Sequence, residues 1–425
     1  MKLWHLEEEL DAFLSTIQGQ REKRKVNVRA VVESIRESIR GGGDETLREL
    51  SRKYDGWEED YPLKVTPSEL EEAAASVSKK DTAVLRGMIR NVTAYHKGQH
   101  GPRRTFRRKG LSEKEEFVPV EKALVYVPGG QVPYPSSLVM GAVPAKLAGV
   151  KHIYATTPTH NGRINPYIAA AALLLDIRDV YRIGGAQAIY AFSFGTETVP
   201  KVDMIVGPGN AYVEEAKRDV YGHVGIDMLA GPTELNILLT GTYPAEILAW
   251  DLFSQAEHDE VAAVGLFSPS KEDLYGIMRQ VERLISSAER RQTIEKAFEA
   301  NAFLAHYRKL ETAVRAINAI APEHLEVIGD ESAARDILYP GIIYVGRHTC
   351  VAMGDYYIGT NHVLPTGGAG RFSAGLSVDR FTKRRVLVKI EKSFFDRYAD
   401  NAIRLSRIEG LQAHGEAIKA RKGLA

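Results

Sequence analysis

Short apolar runs alternate with amphipathic stretches through the middle of the chain. Runs at 123–127, 152–156, 180–183 and 204–206 have strand length, and the stretches 136–149, 165–175, 185–194 and 210–221 have helix length. This rhythm predicts βαβ units and a parallel sheet covered on both faces. A second series follows: a strand at 235–239, a helix at 244–255, a strand at 261–267, a helix at 271–285, then strands at 325–328 and 341–345. The simplest architecture is α/β, with two Rossmann-like, doubly wound parallel-sheet domains.

Before residue 123 the pattern is mostly helical. Val31, Ile35 and Ile39 recur at helical spacing until Gly41-Gly42-Gly43, which predicts a helix stop. Thr66-Pro67-Ser68-Glu69 reads as a helix start, with Thr66 as cap, and another helix is expected over 81–97. The basic stretch Arg103-Arg104, Arg107-Arg108-Lys109 is offset by Glu113, Glu115 and Glu116, as in a solvated loop or hairpin. The expected organisation is an N-terminal helical segment (1–25), a first α/β domain on the metal and substrate side (26–122 with 233–377), a second α/β domain on the NAD side (123–232) and a helical tail (378–425). Gly231-Pro232 is the expected join, and Lys383-Arg384-Arg385 and Phe394-Phe395 lead into the tail.

Composition narrows the function. The 425 residues carry 56 Lys and Arg against 55 Asp and Glu, a formal charge of +1 that argues against a polyanion-wrapping role and predicts no nucleic-acid partner. The single cysteine, Cys350, excludes an internal disulfide and a thiolate-clustered metal site. Acidic residues Glu7 to Glu9 stand where a secretory signal would be apolar, and the longest apolar run, 167–175, is far below the ~18 residues of a membrane span. The expectation is a cytoplasmic enzyme without membrane contact.

Several segments can carry chemistry. Pro128-Gly129-Gly130, Gly184-Gly185-Ala186-Gln187 and Gly207-Pro208-Gly209-Asn210 follow predicted strands, where glycine lets backbone amides approach a phosphate. None is a full G-x-G-x-x-G, but three in consecutive βα units point to a nucleotide. Gln255 and His258 lie three apart at a helix end and share a face. Glu323-His324 sets a carboxylate beside an imidazole just before a strand, a pairing suited to proton transfer. A loop of turn formers, Gly354 to Gly368, holds Asp355, and Glu409 and His414 lie near the end of the tail. Cys350 is a candidate thiol nucleophile for an aldehyde, though no positive neighbour that would lower its pKa is evident. Each of these also has an ordinary structural reading as a turn, a helix-terminal histidine or a buried small side chain.

In this order and spacing the segments resemble the histidinol dehydrogenase family, from about Val31 to Lys419. The resemblance rests on Tyr126-Val127-Pro128-Gly129-Gly130, Tyr134-Pro135-Ser136-Ser137, Ile183-Gly184-Gly185-Ala186-Gln187-Ala188-Ile189, Val206-Gly207-Pro208-Gly209-Asn210, Ser254-Gln255-Ala256-Glu257-His258, Pro322-Glu323-His324-Leu325 and Gly359-Thr360-Asn361-His362-Val363-Leu364-Pro365-Thr366. It implies oxidation of L-histidinol to L-histidine through bound histidinal, the last step of histidine biosynthesis, with NAD and one zinc ion per subunit. By similarity Gln255, His258, Asp355 and His414 would ligate zinc, and Glu323 and His324 would be the catalytic acid–base pair. Thr233, Gln255, His258, His324, Asp355, Glu409 and His414 would contact substrate, and Tyr126, Gln187 and Asn210 would contact NAD. It also implies a homodimer whose tail, bearing Glu409 and His414, reaches the partner's site. Thr233 stands where biosynthetic members usually have serine. Together with Gly209-Asn210-Ala211-Tyr212, it is also familiar from a side branch that oxidises other primary alcohols such as sulfopropanediol.

Overall fold

A computed structural model describes residues 1–24, 27–99, 101, 104–129 and 132–424. Gly130 of the first glycine turn, Arg103 of the basic stretch, and the expected boundary at 25 and 26 lie outside the described residues. The chain divides into two compact units. One comprises Met1–Gly98 with Val120–Phe381, the other Gln99–Pro119 with Thr382–Ala425.

The first unit holds both parallel sheets. Five strands stand in the order Val180–Tyr181, His152–Thr156, Lys122–Tyr126, Met204–Val206 and Gly225–Ile226. Six stand in the order Lys2–His5, Phe303–His306, Ala263–Ser268, Glu234–Leu239, His324–Ile328 and Ile342–Val345. Every residue of Glu234–Leu239 and His324–Ile328 is buried, as expected of central parallel strands packed on both faces. Gly265 is required where the ring of Phe303 lies across the neighbouring strand, since a Cβ there would fall 2.0 Å from it.

Several expectations are corrected. The chain begins with a strand, Lys2–His5, paired parallel to Phe303–His306 at a sheet edge, before the helix Leu6–Lys23. The glycine run does stop the first helix: the backbone leaves helical geometry at Gly43 (φ 50°, ψ −132°), where the Asp44 N–H donates to Glu197 at 2.8 Å, but a second helix restarts at once and runs on to Asp55. Thr66 does cap Pro67–Ala75, in a reciprocal capping box with Glu69. Val32, Ile35, Ile39 and Leu47 pack with the helices of the five-stranded sheet, as Leu70, Met88 and Val92 do on its other face. The helices of 29–96 therefore join the five-stranded half, not the six-stranded half with which 26–122 were grouped. Among the described residues no helix is long and apolar enough to cross a membrane.

The second unit is not purely helical. Thr382–Ile390 is a strand that pairs antiparallel with Leu111–Pro119, which pairs in turn with Arg104–Arg108. The basic stretch is thus one arm of a hairpin, and Arg385 pairs with Glu116 across the strands. Helices Lys392–Ile408 and Gln412–Arg421 follow.

Candidate active site

The six-stranded sheet brings two strand beginnings together. Leu235 stands opposite His324 in register, so Thr233 and Glu234 lie beside Glu323. The helix Ala245–Ala256 runs back antiparallel to the strand before it, which delivers Gln255 and His258 to the same edge. This site is at the amino edge of its sheet, opposite the carboxyl edge where α/β ligands usually bind.

A relay of hydrogen bonds joins the residues there. Gln255 Nε2 donates to Thr233 Oγ1, and Thr233 Oγ1 donates to Glu323 Oε2 at 2.5 Å. The Glu234 N–H donates to the same carboxylate oxygen at 3.0 Å. His324 Nδ1–H donates to the Glu234 carbonyl at 3.1 Å. A carbonyl only accepts, so the proton of the neutral ring sits on Nδ1, and Nε2 carries the free lone pair. That Nε2 is buried without a partner, and so is Gln255 Oε1. Burial pushes the Glu323 carboxyl above its usual range, against the opposing pull of His324 and the Thr233 hydrogen bond.

Asp355 comes from the short helix Val351–Tyr356. Its carbonyl accepts from His362 Nδ1 at 3.2 Å, and its Oδ1 lies 4.0 Å from the same nitrogen. His362 Nε2 faces the Ser137 hydroxyl at 3.4 Å. The His258 side chain is exposed, with protein packed around it. Desolvation lowers its pKa. Asp355 opposes that shift, and His324 and His362 reinforce it. His258 is held neutral, the form that ligates a metal.

The predicted NAD contacts lie at the carboxyl edge of the five-stranded sheet. The strand order reverses there, between Lys122–Tyr126 and Met204–Val206. The buried Tyr126 hydroxyl accepts from the Gly185 N–H at 3.1 Å, and Gln187 is buried one turn into the helix Gly185–Phe194. Gly207 (φ 118°) must be glycine, since a Cβ would fall 2.1 Å from the Tyr126 carbonyl. Asn210 Oδ1 caps the next helix by accepting from the Tyr212 and Val213 N–H groups, both at 3.1 Å. Those two amides are therefore taken by the chain itself.

The structure thus joins Gln255, Thr233, Glu323 and His324 directly, and sets His258 within electrostatic reach of His324, Asp355 and His362. Glu409, at the end of Lys392–Ile408, and His414, in the first turn of Gln412–Arg421, are exposed residues of the second unit. Sequence reasoning missed His362 as a site residue, although it closes the Gly359-Thr360-Asn361-His362 segment. It also missed Glu234, whose backbone touches both members of the acid–base pair. Cys350 is not an activated thiol, because burial and then the nearby Asp251 and Glu326 push its pKa up. Among the described residues no three His, Cys, Asp or Glu side chains gather around one point.

Comparison with known proteins places the chain in a family. The family model described as histidinol dehydrogenase matches residues 18–422. A histidinol dehydrogenase of Nitrosomonas europaea is 40% identical over 98% of this chain and 97% of its own length. That of Bacillus subtilis is 39% identical over 95% of this chain and 94% of its own. The crystal structure of histidinol dehydrogenase from Elizabethkingia anophelis superposes with a TM-score of 0.87 at 32% identity, covering 93% of this chain and 92% of that one. The chain belongs to the histidinol dehydrogenase family of oxidoreductases.

Proposed function

We propose that the protein oxidises L-histidinol to L-histidine through bound histidinal, using NAD and one zinc ion per subunit, as the closing step of histidine biosynthesis. The observation that carries this reading is the relay Gln255–Thr233–Glu323 beside a His324 whose Nε2 is buried and free. The relatives' names favour histidinol over another primary alcohol.

The side chains fit a zinc ion at one telling atom. Gln255 spends its amide N–H on Thr233 and leaves Oε1 buried with no partner, a cost that a cation would relieve. Gln255, the neutral His258 and Asp355 would hold the ion, with His414 supplied by a second copy of the chain. Only two of these within one chain are His or Asp, in keeping with the lack of a three-residue His, Cys, Asp or Glu cluster. When bound, zinc supplies a Lewis acid and a template for the substrate's nitrogens. Tyr126, Gln187 and Asn210 would hold NAD, which would supply the hydride acceptor.

His324 Nε2 takes the alcohol proton as the first hydride leaves the carbinol carbon. Its Nδ1–H stays on the Glu234 carbonyl throughout, which fixes the ring's orientation. Glu323, a stronger base than an exposed carboxylate because of its burial, takes a proton from water as that water adds to the aldehyde. Thr233 and the Glu234 N–H aim the carboxylate for that step. As water adds, His324 Nε2 returns its proton to the aldehyde oxygen, and so is free to take the diol proton in the second oxidation. Thr233, Glu409 and His414 complete the substrate contacts, the last two across a homodimer interface, in a cytoplasmic enzyme.

NADH stoichiometry tests the reading. Two NADH per L-histidinol are expected, with activity lost to a chelator and restored by zinc. Turnover of a sulfonated diol with none of histidinol would overturn it.

A further inference from the structure

The Glu234 peptide touches both members of the acid–base pair, and its side chain has so far been given no role. Its N–H holds Glu323 Oε2 at 3.0 Å and its carbonyl holds His324 Nδ1 at 3.1 Å. Its side chain is buried and points away from that peptide into a double clamp. Arg21 grips it with two parallel bonds, Nε to Oε1 at 3.0 Å and Nη2 to Oε2 at 2.7 Å. Arg24 Nη2 adds a third at 3.0 Å to Oε1. Both arginines lie at the end of the first helix, more than two hundred residues away in sequence.

Arg21 also reaches the other strand. Its Nη1 donates to the Ile320 carbonyl at 2.8 Å. Ile320 ends the helix Leu310–Ile320, and the next residue, Ala321, turns the chain at a φ of 48°, a left-handed conformation that a non-glycine residue rarely holds. Pro322 and Glu323 follow at once. One guanidinium thus ties together the two segments that enter the paired strands, one at Glu234 and one just before Glu323. The planar fork suits this task, since it fixes direction as well as distance.

We propose that Arg21 and Arg24, acting through Glu234, are positioning residues that hold Glu323 and His324 in their reactive geometry. Their contacts run to Glu234 and Ile320, so their effect reaches the chemistry through the Glu234 peptide and the Ile320–Glu323 turn. The inference rests on Glu323 and His324 being the catalytic pair.

The test uses full-length, zinc-loaded enzyme and four variants: Glu234→Gln, Arg21→Gln, Arg21→Lys and, as reference, His324→Ala. A displacement of the pair by a fraction of an ångström lowers kcat by about tenfold or more. Glu234→Gln and Arg21→Gln are expected to show that loss, with KM for histidinol and for NAD within about twofold of wild type. Arg21→Lys keeps the charge and is expected to recover part of the lost kcat. Arg21 is partly exposed, so Arg21→Gln stays informative if Glu234→Gln fails to fold. Wild-type kcat in Arg21→Gln overturns the inference, as does a fall in kcat matched by lost zinc and a collapsed unfolding temperature. If His324→Ala retains full activity, it is the catalytic assignment itself that fails.

Discussion

Gln255 gives its amide hydrogen to Thr233 and keeps its amide oxygen buried and unpaired. The Thr233 hydroxyl spends its own proton on Glu323 and so couples a proposed metal ligand to a proposed base. The methyl group that threonine adds over serine takes no part in this relay. Thr233→Ser is therefore expected to keep activity within about twofold, whereas Thr233→Val removes both bonds and lowers kcat by about tenfold to a hundredfold. Gln255→Leu removes the oxygen outright, and elemental analysis should find its zinc content well below that of wild type. Full zinc in Gln255→Leu would remove Gln255 from the ligand set.

Glu323 and His324 divide the labour between the two oxidations. Water enters only after the aldehyde has formed, so Glu323→Gln should slow histidinal oxidation far more than histidinol oxidation. Single-turnover traces should then show about one NADH formed quickly and the second about a hundredfold more slowly. Equal slowing of both phases would move the water-activating role away from Glu323.

Cys350 offers a contrast. Its thiol is held protonated by burial and by the nearby carboxylates Asp251 and Glu326, and the residue stands just before the short helix that carries Asp355, without a side-chain capping bond. Cys350→Ser is expected to keep kcat and KM within about twofold, and the wild type should resist thiol-directed alkylation at neutral pH. Inactivation by alkylation, prevented by substrate, would revive a covalent thiohemiacetal route.

The five-stranded half is braced by a buried charge cluster. Lys217 Nζ lies 2.7 Å from Asp227, 3.3 Å from Glu214 and 3.1 Å from the Gly207 carbonyl. Asp227 accepts from the Gly207 N–H at 2.7 Å and Glu214 from the Ala230 N–H at 2.7 Å. Lys217→Met leaves two buried carboxylates without their cation and is expected to cost about 3–5 kcal/mol in urea unfolding. The Gly207 turn should slacken with it, and KM for NAD should rise more than KM for histidinol. An unchanged unfolding midpoint would show that the acids find another partner.

How much of this was legible in the sequence depends on how local each signal is. Strands such as 123–126 and 204–206 stood out because a central parallel strand is apolar along its whole length, and Thr66-Pro67-Ser68-Glu69 carries its own cap. Lys2–His5 and Thr382–Ile390 did not. Each is completed by pairing with a segment far away, Phe303–His306 or Leu111–Pro119, and the second is mostly solvent-facing and rich in charge. The same holds at the site. Glu323-His324 can be found as a dipeptide, but the free Nε2 follows from a carbonyl ninety residues earlier. Lys217 reads as an ordinary helix lysine until Asp227 folds back onto it. Residues that act alone can be read from the chain, while those that act through a distant backbone need the fold.

Glu326, two residues beyond His324 on the same strand, adds a pH dependence to stability. It is fully buried. Its Oε1 accepts from the Val351 N–H at 2.8 Å, and its Oε2 has no partner. Burial, and next the neighbouring Asp251, push its pKa up to about 8 from an ordinary 4.5, and burial lifts Asp251 to about 6. The folded protein thus holds a proton that the unfolded chain releases near pH 4.5. Because the folded state binds more protons between these values, this group's contribution to stability is fully present below about 4.5 and is lost as pH rises towards about 8. Glu326→Gln keeps the acceptor for Val351 and deletes the titration. Its unfolding temperature, measured against wild type from pH 5 to 9, should start close to the wild-type value and pull ahead by a few degrees as pH rises. A gap that stays constant across that range would mean that Glu326 ionises as freely in the folded protein as outside it.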